Sequence, residues 1–211
     1  MKIQLYYAPT TCALVPWATL TETGAPFETV AMNFRKAQHM SPEFLALNPK
    51  HKVPLLIVDG EKLTENVAIQ VWIARTFPAA NLLPSDPWLE VRAISLMAWF
   101  ASGVHPHLAR INSPAKFGGE GAEEAVKRLA NDQLQEAFAI ADGLLAGREH
   151  FFDHFTAVDA YFFWCYRRAT QFELPLTQYA NCNAHFARMQ QRPSIAQVLA
   201  FEKQKLAEFA S

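Results

Sequence analysis

The sequence predicts an α/β domain followed by an all-α helical bundle, and three observations carry that expectation. Runs of β-branched, aromatic and apolar residues at 2–7, 27–32, 55–58 and 61–63 have the composition of strands and all fall early in the chain. A helical pattern, with Leu14, Trp17 and Leu20 on one face, separates the first two runs and makes a βαβ unit, hence a parallel pair. The stretch Phe77 to Trp88 holds three prolines and no period, and everything after it repeats at helical spacing without strand alternation. The expected boundaries are 1–77 for the first domain, 78–88 for a linker and 89–211 for the helical domain.

Bulk properties narrow the function. A chain of 211 residues, 51% hydrophobic and 18% charged, buries a substantial core and folds as a soluble protein. A net charge of −1 offers no electrostatic reason for nucleic acid or an anionic membrane as partner. No apolar run approaches the roughly 18 residues of a membrane span, and the N-terminus shows no signal-peptide pattern. The cysteines, Cys12, Cys165 and Cys182, are odd in number and widely spaced, which argues against a disulfide framework and for a reducing compartment, the cytoplasm by default.

The first strand, Lys2 to Tyr7, ends in the loop Ala8-Pro9-Thr10-Thr11-Cys12-Ala13-Leu14, and Pro16 lies in the first turn of the helix that follows. Proline suits that position because the first helical N–H groups have no intrahelical acceptor. Cys12 reads two ways. Near the positive end of a helix dipole a thiol is drawn toward thiolate, yet a free cysteine is also a small apolar core residue. Thr23-Gly24 stops the helix and Phe27 to Met32 forms the second strand. Asn33 to Met40 is a polar connection, and Ser41-Pro42 starts a short helix with serine as cap.

Leu55 to Val58 and Glu61 to Leu63 flank Asp59-Gly60, a two-residue hairpin signal. Pro54 stands just before that strand, where a missing N–H is tolerated, and the sequence leaves the Val53-Pro54 isomer open between cis and trans. Thr64 is expected to cap the next helix, with Glu65 and Asn66 in its first turn, beside free N–H groups. A carboxylate next to such donors suits a zwitterion, the ammonium on the acid and the carboxylate on the N–H groups.

Beyond the linker, Leu89 to about Arg110 is one long helix, Ser113 to Gly121 a loop, and 122–145 an amphipathic helix. Thr156-Ala157-Val158-Asp159 is a capping-box signature ahead of a helix apolar on nearly every face, which places Cys165 in a core. Helices at 177–191 and from Pro193 complete the chain. His105-Pro106-His107 and His150-x-x-x-His154 invite a metal reading, but no cysteine or carboxylate set completes either, so no metal is expected.

The order β-α-β-α-β-β-α, a proline-rich linker and an all-helical domain together resemble the cytosolic glutathione transferase family. Val53-Pro54 before the hairpin, Glu65-Asn66 at the third helix and Thr156-x-x-Asp159 in the helical domain match its motifs by position, and the Cys12 loop is most similar to the bacterial beta class. The resemblance implies a thioredoxin-like first domain with a mixed sheet that binds glutathione, and a helical domain that contributes the second-substrate site. It implies a glutathione S-transferase that joins the glutathione thiol, as co-substrate, to electrophilic, largely apolar small molecules, a detoxification chemistry, in a homodimer. Cys12 and His105 would serve catalysis beside the glutathione sulfur. Val53 and Pro54 would hold the cysteinyl backbone, Glu65 and Asn66 the γ-glutamyl end, and Lys36 the glycyl carboxylate.

Three departures accompany the likeness: Asn66 stands where serine is usual, Ala98 where asparagine is frequent, and Pro106 directly follows His105. Two alternatives stay open on the same fold. One is a glutathione-linked thiol or peroxide redox enzyme in which Cys12 forms a mixed disulfide. The other is a non-catalytic binding or regulatory protein.

Overall fold

Strand Ile3–Tyr7 (β1) buries every second residue, so Ile3, Leu5 and Tyr7 face the core while Gln4 and Tyr6 are half-covered. This computed structural model describes residues 1–210. Helix Leu14–Thr23 (α1) follows and ends at Gly24, whose φ of 69° closes the last turn in the left-handed conformation. Strand Glu28–Ala31 (β2) pairs parallel to β1, as the βαβ pattern requires. Ser41 caps helix Pro42–Leu47 (α2) by accepting the Phe44 N–H at 3.2 Å.

Strands Leu55–Val58 (β3) and Glu61–Thr64 (β4) form the hairpin, with Asp59 and Gly60 at φ 49° and 95°, the positive pair that a tight two-residue turn demands. β3 runs antiparallel to β1, and the mixed sheet has the order β2-β1-β3-β4. Helix Asn66–Thr76 (α3) closes this part of the chain. Thr64 does not cap it. Thr64 stays in the ladder opposite Leu55, and Glu65 takes the cap position with φ 70°, which turns the chain from strand into helix in one residue.

The contacts divide the chain into two units, Met1–Leu83 together with the stretch from Gln191, and Pro84–Gln190. These units run differently along the chain from the 1–77 and 89–211 division, because the last helix, Pro193–Ala210 (α10), packs on α1. Arg192 holds Glu22 of α1 through Nε and Nη2 at 2.7 and 2.8 Å, and the Ser194 hydroxyl donates to the same carboxylate. Burial alone would raise the Glu22 pKa, but Arg192 and Ser194 outweigh it and hold the carboxyl below its ordinary range. The core of this unit is Leu5, Leu14, Leu20, Leu55, Leu56, Ile69 and Ile73, all fully buried, each contributing about 1.5–3 kcal/mol of burial free energy.

The second unit is helical. Helix Pro87–Trp99 (α4) passes through a π-helical turn, Phe100–Val104, into helix His105–Asn112 (α5). Pro106 has no N–H to donate and crowds the carbonyl four residues before it; the widened turn relieves this, with the His105 N–H donating to the Phe100 carbonyl. The stretch after Ser113 is not all loop, since Ala115–Gly118 (α6) makes one helical turn. Helix Glu123–Leu144 (α7) is the long amphipathic one.

Helix Ala157–Gln171 (α8) is buried at every residue from Ala157 to Tyr166, Cys165 included, as its uniformly apolar pattern requires. Its aromatic residues build a cluster in which Phe162 meets Phe138 and Phe151 edge-to-face and Phe100 and Tyr166 at tilted angles. Helix Ala180–Gln190 (α9) completes the unit. Among the described residues no helix is long and apolar enough to cross a membrane.

Candidate active site

Within the first unit, a loop and two element ends meet around Cys12. The loop 8–13 leaves β1 and is tied by backbone and side chain together. Thr11 donates its N–H and its hydroxyl to the Ala8 carbonyl at 3.3 and 2.7 Å, and the Ala13 N–H reaches the Thr11 hydroxyl at 3.4 Å. The Cys12 thiol lies 3.8 Å from the Val53 carbonyl, and the Val53-Pro54 bond is cis. Asn66, buried at the start of α3, donates its amide to the Cys12 carbonyl at 2.8 Å and accepts from Gln70 at 3.2 Å. Cys12, Val53 and Asn66 are therefore joined directly, although 41 and 54 residues separate Cys12 from the other two.

The electrostatics of Cys12 run opposite to the thiolate expected near a helix start. Burial pushes the thiol up to about 12; hydrogen bonding from Asn66 and the Cys12 N–H opposes it without overcoming it, and the weaker effects of the Glu65 and Lys52 charges act in opposite directions. Helix α1 begins only at Leu14, so Cys12 sits before its cap, Ala13, and is 8% exposed. At neutral pH the side chain is a thiol, a donor rather than a nucleophile.

Glu65 carries an exposed carboxylate paired with Lys50 at 2.6 Å, and the same ammonium reaches the Thr64 hydroxyl at 2.9 Å. Lys36 lies in a turn that Asn33 organises by accepting the Arg35 and Lys36 N–H groups at 3.0 and 3.2 Å, and its side chain is exposed. His105 belongs to the second unit, where its ring meets Trp164 edge-on at a centroid distance of 4.4 Å. Ala98 lies exposed on α4. Tyr6 packs its ring near Phe44, and the buried Tyr7 hydroxyl donates to Glu202 at 3.0 Å.

Glu202 is a site residue that no motif announced. It also accepts the Thr10 N–H at 2.6 Å, so the last helix grips the loop that carries Cys12. One signal was available: Ile195, Val198 and Glu202 recur at helical spacing, which puts a carboxylate where the buried stripe calls for an apolar residue.

His150 does not gather with His154 but with Asp159 and His185, whose ligand atoms all lie within 4.8 Å of one another. The Asp159 carboxylate already accepts the Phe151 N–H and His185 Nε2 on one oxygen, at 3.1 and 3.0 Å, and the Thr156 N–H and hydroxyl on the other, at 2.8 and 3.0 Å. Its lone pairs are taken, and the group reads as the cap of α8 rather than as a metal centre. Although burial alone would raise it, the His150 and His185 rings and the Thr156 N–H hold the Asp159 carboxyl far below its ordinary range.

Comparison with known proteins bears on this geometry. Residues 1–75 match the family described as glutathione S-transferase, N-terminal domain. Glutathione S-transferase GstA of Escherichia coli O157:H7 is 30% identical over 95% of this chain and 98% of its own length. A maleylpyruvate isomerase of a Ralstonia species is 30% identical over 74% of this chain and 76% of its own. Among solved structures, a sphingomonad glutathione S-transferase complexed with glutathione superposes with a TM-score of 0.84 at 30% identity, covering 95% of this chain and 98% of that one. The bacterial beta class enzyme of Sphingomonas chungbukensis does so with a TM-score of 0.83 at 31% identity, covering 94% and 98%.

Proposed function

Because the chain belongs to the glutathione S-transferase family, we propose that it joins the thiol of glutathione to electrophilic, largely apolar small molecules, with the site around Cys12 holding the tripeptide. The observation that carries this reading is the direct linkage of Cys12, Val53 and Asn66, which sets the parts of a peptide site side by side. The cysteinyl backbone of glutathione pairs with Val53, held in place by Pro54, as an added strand. The γ-glutamyl ammonium goes to the exposed Glu65 carboxylate, and its carboxylate goes to the Asn66 N–H at the start of α3. Lys36 is assigned to the glycyl carboxylate, and His105 to the glutathione sulfur, on the family likeness alone.

Cys12 then acts as a thiol. Its S–H, which lies against the Val53 carbonyl, turns to donate to the bound thiolate and favours ionisation of the substrate thiol. The glutathione sulfur attacks the electrophilic carbon, a C–S bond forms, and the leaving group departs with its electron pair while the thiol proton passes to solvent. Burial favours this role over the redox alternative, because thiol exchange needs a thiolate on Cys12. No metal takes part. We assign the protein to the cytoplasm. A homodimer fits the apolar side chains left exposed on α4 and α7, among them Trp88, Val91, Ile140 and Leu144.

Turnover of chlorodinitrobenzene with glutathione, releasing chloride, tests the reaction. Measurable conjugation that falls about tenfold in Cys12→Ala supports it. Inactivity across a panel of aromatic halides, epoxides and activated alkenes would reject it.

A further inference from the structure

We infer that Glu202 is a positioning residue for the Cys12 loop: its buried carboxylate, on the last helix, holds the loop closed so that the thiol faces Val53. Glu202 is 2% exposed and continues the buried stripe of Ser194, Ile195 and Val198, a position where leucine would pack without desolvating a charge. What the carboxylate does there is accept the Tyr7 hydroxyl at 3.0 Å and the Thr10 N–H at 2.6 Å. The second bond is short and charge-assisted, the strong kind.

Thr10 explains why such an acceptor is needed. Its φ is 66°, a left-handed conformation that a β-branched residue rarely adopts. Left to itself the loop would relax toward negative φ and swing the Thr10 N–H away. The carboxylate opposes that relaxation at the strained residue itself. Two residues on is Cys12, and the bonds of Thr11 to Ala8 and of Ala13 to Thr11 leave little slack between them. Phe201, next to Glu202, flanks the Tyr7 and Trp17 rings at 5.7 and 5.8 Å, so the helix that presents the carboxylate is itself seated on β1 and α1.

This inference extends the proposed role of Cys12 only in its kinetic consequence; closure of the loop is measurable without glutathione. The experiment compares wild type, Glu202→Ala, Glu202→Gln and the double variant Glu202→Ala/Thr10→Gly. Glu208→Gln, further along the same helix, is the control. Alkylation by iodoacetamide above neutral pH is followed at each cysteine by peptide mass mapping, with the buried Cys165 and Cys182 as internal references.

Glu202→Ala is expected to speed alkylation of Cys12 about tenfold and leave Cys165 and Cys182 unchanged. Glu202→Gln, which keeps the shape and one acceptor, gives a smaller rise of about threefold and serves if the alanine variant does not fold. Adding Thr10→Gly, which removes the steric reason to leave the left-handed region, returns the Cys12 rate toward wild type. An unchanged Cys12 rate, or a rise shared by all three cysteines, would overturn the inference; so would no recovery with Thr10→Gly. In conjugation assays the Glu202 variants lose kcat while the KM for glutathione stays within about twofold. If wild type conjugates nothing but the alkylation pattern holds, the proposed reaction fails and the loop inference stands.

Discussion

At Cys12 two physical effects compete, and burial defeats the dipole. The thiol precedes the helix cap, is almost fully covered, and has its pKa pushed up to about 12. Its alkylation rate in wild type is therefore expected to climb about tenfold per pH unit through pH 10 without levelling near 8.5, the ordinary thiol value. A plateau near neutral pH in a rate-versus-pH series would show a thiolate instead. Asn66 carries a second expectation. Asn66→Asp replaces the amide donor with a carboxylate facing the Cys12 carbonyl, and denaturant unfolding should register a loss of about 1–3 kcal/mol. The residue types around Cys12 were readable from their order in the chain. Their bonding was not: Glu202 lies 192 residues from Thr10, and no local pattern links a distant carboxylate to one strained N–H.

Elements were legible where a local signal has one physical solution. Asp59-Gly60 admits little besides a tight hairpin, Ser41-Pro42 starts a helix, and Thr156 with Asp159 caps one. They blurred where tertiary context decides. Thr64 looks like a cap until its pairing with Leu55 keeps it in β4, and Pro106 hints at a distorted helix without saying that a π-helical turn absorbs it. The α8 cap is the element with the clearest stability consequence.

Asp159 has a folded pKa below its unfolded value, so its contribution is complete above the ordinary aspartate range. It is lost as pH falls through about 4 and below. Asp159→Ala removes the acceptor for Phe151, Thr156 and His185 together and should cost about 3–5 kcal/mol at pH 7. The deficit should shrink in acid. A pH-independent loss in thermal or denaturant unfolding would contradict the ionised cap.

For the whole molecule, the alternation of strand and helix before the prolines and the purely helical pattern after them were enough to reach the fold. The grouping of α10 with the first unit escaped, because a helix's period gives its buried face and not its partner. The exposed Trp88, Val91, Ile140 and Leu144 favour self-association. Sedimentation at micromolar concentration should give the mass of two chains, and Trp88→Glu should shift it toward one.

The central claim, that Cys12, Val53, Glu65 and Asn66 form one glutathione site, is tested most directly by calorimetric titration of glutathione into wild type, Glu65→Gln and Cys12→Ala. Glu65→Gln should weaken binding by about 1.5–3 kcal/mol, as for a lost charged hydrogen bond, and Cys12→Ala should change it by less than about threefold. Equal affinity in all three proteins would mean that the tripeptide binds elsewhere.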